Sequence, residues 1–175
     1  MTDRRRIRRA TLIIAIVVIG LPVVARGQAP ASSPPQDPWG VWTSLAVGRG
    51  NPGFAGNLAA WVTHGPFAAS VRYAGTSELE AGDMSDGSLL VGVHPIRGSQ
   101  VNGVIAIGAG LSSGHNGHVR LAQEPVMALG GQLIFNVAII GIGVDAFAAL
   151  GSSRHYHGIG VALAIGGFSG VAPGP

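Results

Sequence analysis

The stretch FAASVRYAG, Phe67–Gly75, alternates: Phe67, Ala69, Val71 and Tyr73 share one parity, and Ala68, Ser70, Arg72 and Ala74 share the other. A period of two marks a β-strand with unlike faces. In a soluble sheet the apolar face is buried and the polar face is wet. In a membrane barrel the assignment is reversed.

The same alternation, followed along the chain, predicts eight strands. They lie near Trp39–Gly48, Phe54–Thr63, Phe67–Ala74, Ser88–His94, Val101–Leu111, Glu124–Phe135, Ile139–Leu150 and Gly158–Phe168. Most match the ~9–11 residues that a tilted strand needs to cross a bilayer. LIFNVAIIGIGVDAFAAL, Leu133–Leu150, is apolar enough to pass for a membrane helix. Asn136 near its start and Asp145 inside it argue against that, as does the alternation of Ile140, Ile142, Val144, Ala146 and Ala148 with Gly141, Gly143, Asp145 and Phe147. It reads as the end of one strand and the whole of the next, joined at Asn136–Ala138.

Connections are expected to differ between the two ends. Those after the second, fourth and sixth strands are short: His64–Pro66, Pro95–Gln100 and Asn136–Ala138. Those after the third and fifth, GTSELEAGDMSDG and SSGHNGHVRLAQ, are long and polar; GSSRHYH follows the seventh, and RGNPG after the first is brief. Tight turns at one end and long loops at the other are the outer-membrane pattern.

The bulkier parity holds Leu45, Val47, Leu58, Val71, Leu89, Val91, Ile107, Ile142, Val161, Leu163 and their like, and carries no charge. The other holds Asn57, Thr63, Ser70, Arg72, His94, Asn102, Glu124, Gln132 and Asp145, spaced by Gly and Ala. Neither offers the charged face that a soluble barrel turns to water. If bulky residues face lipid and small polar ones the lumen, every strand is satisfied. Trp39, Phe67 and Phe135 near the turn end, with Phe54 and Tyr73 near the loop end, would then form interfacial girdles. The fold expected is an all-β, eight-stranded antiparallel up-and-down transmembrane barrel over residues 39–168.

The segments outside the barrel fit export. Residues 1–29 have an Arg-rich start, an apolar run from Leu12 to Ala25 and small residues at Gly27 and Ala29, as a cleaved signal peptide does. Cleavage after Ala29 or Ala31 suits these residues. The run is shorter than the ~20 residues of a spanning helix, which disfavours retention as an anchor. Arg4-Arg5-Arg6-Ile7 loosely matches a twin-Arg signal, a match that any Arg-rich start produces. The formal charge of +3 belongs to this segment: beyond residue 29, five arginines stand against seven carboxylates, a net of −2. Nucleic-acid binding is therefore not expected. The absence of Cys excludes disulfides and thiolate metal sites. Residues 30–38 read as a Pro/Ser-rich linker and 169–175 as a C-terminal tail. Of the 29 glycines, 27 follow residue 29, and each would cost a helix interior about 1 kcal/mol relative to Ala.

With this architecture, the chain resembles the small eight-stranded outer-membrane barrels of Gram-negative bacteria, the OmpA/OmpX-like transmembrane domains. The resemblance implies a monomer in the outer membrane of the cell envelope, with a porin-like wall. Its last strand, GIGVALAIGGF, looks like the C-terminal signal read by the barrel-assembly machinery, with Gly160, Leu163 and Ile165 in suitable places; here SGVAPGP follows Phe168.

An eight-stranded lumen holds little beyond its own side chains, so no open pore is expected. Arg72 needs a buried carboxylate, and Asp145 or Glu124 is the expected partner. His115, His118, His155 and His157 form a candidate loop metal set, against the plainer reading of polar loop tips. Glu78, Glu80, Asp83 and Asp86 make the second long loop acidic but lack calcium-loop spacing. RHYHGIG, Arg154–Gly160, is similar to the His-containing stretch of lipid A deacylase barrels, yet His157 stands where that family has Ser and no acid follows to orient a base. No cofactor and no enzymatic activity is expected. The reading is an integral outer-membrane barrel with a structural or surface-interaction role. Its alternatives are a soluble periplasmic lipocalin-like carrier of an apolar ligand and a lipid-modifying hydrolase using loop Ser and His.

Overall fold

The structure is a computed structural model that describes residues 39–78, 82–98, 100–116 and 119–168. The expected signal peptide (1–29) with its cleavage sites, the linker (30–38), the tail (169–175), Glu80 and His118 lie outside the described residues. Eight strands run in chain order: β1 Trp39–Asn51, β2 Phe54–His64, β3 Phe67–Glu78, β4 Gly82–Arg97, β5 Val101–Asn116, β6 Val119–Val137, β7 Ile140–Gly151 and β8 His155–Gly167. Each pairs antiparallel with its neighbours, and β1 pairs with β8 from Val41↔Gly167 to Asn51↔His157. That last ladder closes the sheet into a barrel and leaves no open edge.

The alternation read from FAASVRYAG holds. Phe67, Ala69, Val71 and Tyr73 are exposed, whereas Ala68, Ser70, Arg72 and Ala74 are buried. The Leu133–Leu150 segment divides between β6 and β7, with Ala138 in the left-handed region at φ 55° between them. Pro95, which cannot donate to a ladder, lies in a bulge of β4 between Val93 and Ile96, and His94 beside it is buried.

The expected long loops are mostly strand. β3 continues to Glu78 and β4 starts at Gly82; β5 reaches Asn116 and β6 resumes at Val119. After β7 only Ser152–Arg154 lie outside a strand. The polar composition that marked these stretches as loops reflects water outside the ladder. A hairpin in water keeps its backbone pairs while both faces turn polar.

The outer face accordingly changes character toward the loop end. Along the middle of the barrel it carries Leu45, Val47, Leu58, Val71, Leu89, Val91, Ile107, Leu111, Ile142, Ile159, Val161 and Leu163, all exposed. Closer to the loops come Arg49, Asn51, Ser77, Asp83, His115, Gln123, His155 and His157, also exposed. Trp39, Phe54, Phe67, Tyr73 and Phe135 are exposed on the same face, and the Trp39 ring lies tilted against His64 with centroids 4.4 Å apart.

Inward glycines let the wall curve tightly. A Cβ on Gly108 would stand 1.8 Å from the Leu89 carbonyl oxygen, and one on Gly48 only 2.2 Å from that of Ile159 across the closing ladder. Gly87, on the outer face, would meet nothing within 4 Å. We expect Gly108→Ala to lower stability by about 1–3 kcal/mol in urea unfolding, with Gly87→Ala within about 0.5 kcal/mol of the parent. Equal losses in the two variants would show that close backbone approach is not what selects glycine at Gly108.

Candidate functional site

Inward residues of all eight strands meet in the lumen. Every polar residue assigned to the inner face from the sequence is buried: Asn57, Thr63, Ser70, Arg72, His94, Asn102, Glu124, Gln132 and Asp145. Larger apolar side chains stand among these and the inward Gly and Ala. Trp42, Trp61, Leu90, Val104, Ile134, Phe147, Tyr156 and Phe168 are buried too. Trp42, Trp61 and Phe168 belong to one apolar cluster; Phe147, Tyr156, Val126 and Ala74 belong to a second. On β2, Asn57 stands between Ala55 of the second cluster and Ala59 of the first, and on β3 Arg72 lies between Ala68 and Ala74.

Three polar groupings occupy the interior. Near the turn end, the His94 ring meets Asn102 Oδ1 at 3.0 Å, and Asn102 Nδ2 donates to Asn136 Oδ1 at 2.9 Å. Asp145 accepts from Asn57 Nδ2 at 2.8 Å and from Gln132 Nε2 at 2.7 Å; Gln132 also donates to Ser44 and accepts from Trp42 Nε1. The third centres on Asp86. Arg72 Nη2 donates to its Oδ2 at 2.9 Å, Tyr156 Oη donates to its Oδ1 at 2.7 Å, and Ser88 Oγ donates as well. Both members of the ion pair have side chains with 0% exposure. Arg72 also donates to the Leu129 carbonyl and lies 5.6 Å from the Phe147 ring centroid, a cation–π distance.

Arg72 therefore pairs with Asp86, in place of the expected Asp145 or Glu124. The sequence placed Asp86 in an acidic loop; β4 extends past it and turns it inward. The alternation of Asp86, Ser88 and Leu90 with Gly87 and Leu89 was the signal that could have found it. Asp145 is satisfied by amides instead.

Glu124 sits at the loop-end rim, beside exposed Gln123 and above the apolar belt. It pairs with Arg154 at 3.2 Å and accepts from the hydroxyls of Ser152 and Ser153 and from the Ser153 N–H. These contacts fasten the β7–β8 connection to β6. The Ser153 hydroxyl, most of all, holds the Glu124 carboxyl below its usual range; the Ser153 N–H, Ser152 and Arg154 act the same way, against desolvation.

Among the described residues, the candidate metal histidines His115, His155 and His157 are not gathered. His115 projects outward from β5, 4.0 Å from Asp83, while His155 and His157 project outward from β8, and β6 and β7 intervene. Among the described residues no group of three or more His, Asp or Glu could hold a metal ion. Ser152 and Ser153 meet a carboxylate, and the adjacent His155 and His157 point off the outer face. An open cavity of about 470 Å³ lies at the loop end between Met84, His115, Leu121 and Arg154. The C-terminal strand departs from expectation at its end: β8 stops at Gly167, and Phe168 turns inward, 5.5 Å from Trp42.

The fold is shared with small outer-membrane barrels. The chain is similar to the N-terminal β-barrel domain of Pseudomonas aeruginosa OprF, with a TM-score of 0.57 and 11% identity over 75% of this chain and 99% of that one. It is likewise similar to Neisserial surface protein A, with a TM-score of 0.51 and 10% identity over 75% and 99% of the respective chains. No family model and no curated protein matches the sequence.

Two outcomes follow from the lumen and its rim. Asp86→Ala strands a buried guanidinium, and we expect it to cost about 3–5 kcal/mol in unfolding, whereas Arg72→Met with Asp86→Leu recovers most of the loss. A mild Asp86→Ala effect would remove the ion pair from the list of determinants. For Glu124 the folded pKa is depressed, so its contribution is complete above the ordinary glutamate range and fades as pH falls through the lower, folded value. Proteolysis at Ser152–Arg154 should accelerate only below the usual glutamate range, and Glu124→Gln should abolish that pH dependence. Persistence of the dependence in Glu124→Gln would assign it to another group.

Proposed function

We propose that this chain is an integral outer-membrane protein whose filled barrel has a structural or surface-interaction role, exported by a cleaved signal peptide and inserted as a monomer by the barrel-assembly machinery. The observation that carries the reading is the outer belt. Large apolar side chains stand exposed on all eight strands, from Val41 on β1 to Ile165 on β8, bounded by aromatics and then by polar residues. In water such a surface far exceeds the few hundred Å² that soluble monomers expose as one patch. In hydrocarbon it is the favourable face, and the closed ladder supplies the backbone partners that lipid cannot.

The interior supports a lumen closed to solutes. Trp42, Trp61, Arg72, Tyr156 and Phe168 are among its largest fully buried side chains, in the space that a carrier would give to an apolar ligand. The same packing disfavours the lipocalin-like reading. A hydrolase is disfavoured by the outward direction of His155 and His157, which removes both as an imidazole base for the rim serines. The loop-end hairpins, polar on their outer faces and held on a rigid wall, are the working surface in this reading.

Unboiled protein should migrate differently from boiled protein in detergent gels and fractionate with the outer membrane. Spin labels at Val91 and Ile142 should report an apolar environment. Recovery as a soluble periplasmic species, or water at both labels, would overturn the reading.

A further inference from the structure

We propose that the loop end of the β8–β1 outer face binds the phosphate of an anionic lipid headgroup through Arg49 and His157, with His155 beside them; this rests on the membrane reading above. The closing ladder sets the geometry. Asn51 pairs with His157 and Arg49 with Ile159, so Arg49 and His157 are diagonal neighbours on one face. Diagonal positions lie roughly 7–8 Å apart, close enough for a guanidinium and an imidazole to share one anion. His155 follows two residues along the same strand, about 7 Å further. All three side chains are exposed.

Charge is distributed unevenly around this end of the barrel. The outward faces of β7, β8, β1 and β2 carry no Asp or Glu, since Asp145 is buried. Exposed carboxylates occur instead at the loop ends of β3 and β4, as Glu78 and Asp83, and Asp83 lies 4.0 Å from His115. On β5 and β6, His115 has Asp83 beside it and Arg120 is the cross-strand partner of His115, whereas among the described residues no carboxylate pairs with Arg49.

Position selects a lipid as the source of the phosphate. Directly below Arg49 and His157 the same face becomes Val47, Ile159 and Val161, all exposed. A headgroup at Arg49 and His157 lays its acyl chains along these residues, and a free anion would gain nothing from them. The guanidinium fork matches phosphate geometry, and each imidazole offers an N–H to a phosphate oxygen.

The test uses the mature chain reconstituted into phosphatidylcholine vesicles with trace spin-labelled phosphatidic acid or spin-labelled phosphatidylcholine. The fraction of each label immobilised at the protein is read by electron spin resonance. Parent protein should prefer phosphatidic acid about fivefold, the factor that one cation near a lipid surface contributes. Arg49→Gln with His157→Gln should bring the two labels close to parity, whereas Arg120→Gln should keep the preference. If the double variant does not fold, Arg49→Gln alone carries the test. No preference in the parent, or a preference that survives Arg49→Gln, overturns the proposal. Absence of immobilised lipid with either label overturns the membrane reading instead.

Discussion

Pairing of β1 with β8 is the constraint on which the rest of this structure depends. Without that ladder, two strands would present rows of unpaired N–H and C=O groups, which neither a buried interface nor hydrocarbon tolerates. Closure fixes an inside and an outside at once. Because strand side chains alternate, each of the eight strands must then contribute one set of residues to a confined lumen and the other to the surroundings. Glycines at Gly48 and Gly160, facing each other across the closing ladder, allow the backbones to approach there.

A closed wall of eight strands encloses little space, and its occupants must satisfy one another. Polar atoms taken from water lose several kcal/mol unless they are hydrogen-bonded. The interior answers with shared acceptors: Asp86 serves Arg72, Ser88 and Tyr156, while Asp145 serves Asn57 and Gln132. Trp42 joins the two kinds of content, stacking 6.3 Å from Trp61 while its indole N–H donates to Gln132. These bonds tie strands far apart in the chain and make the lumen a specific core. The same logic operates at the rim, where Glu124 gathers the β7–β8 connection.

The outer surface inverts the arrangement of a soluble protein. Its belt of Val, Leu and Ile gives way toward the loops to Arg, His, Asp and Gln on the same parity of the same strands. The change of composition along a strand marks where the surroundings change, while the ladder itself continues without interruption. That continuity explains why polar segments such as Gly75–Glu78 and Ser112–Asn116 are strand. It also explains why His155 and His157 face outward, away from any shared centre.

The sequence by itself determined strand number, the parity of each strand and which parity is inward, because alternation is a local property of the chain and survives any arrangement of partners. FAASVRYAG was enough to place Arg72 inside, and Asn57, Gln132 and Asp145 followed by the same rule. Only the tertiary structure decided which inward residues meet. Arg72 finds Asp86 because β3 and β4 are neighbours with a register that seats Arg72 against Ser88. It decided too that Trp42, Trp61 and Phe168 come together, since their proximity is set by closure. Register and curvature arise from the whole ring of hydrogen bonds, and no single strand encodes them.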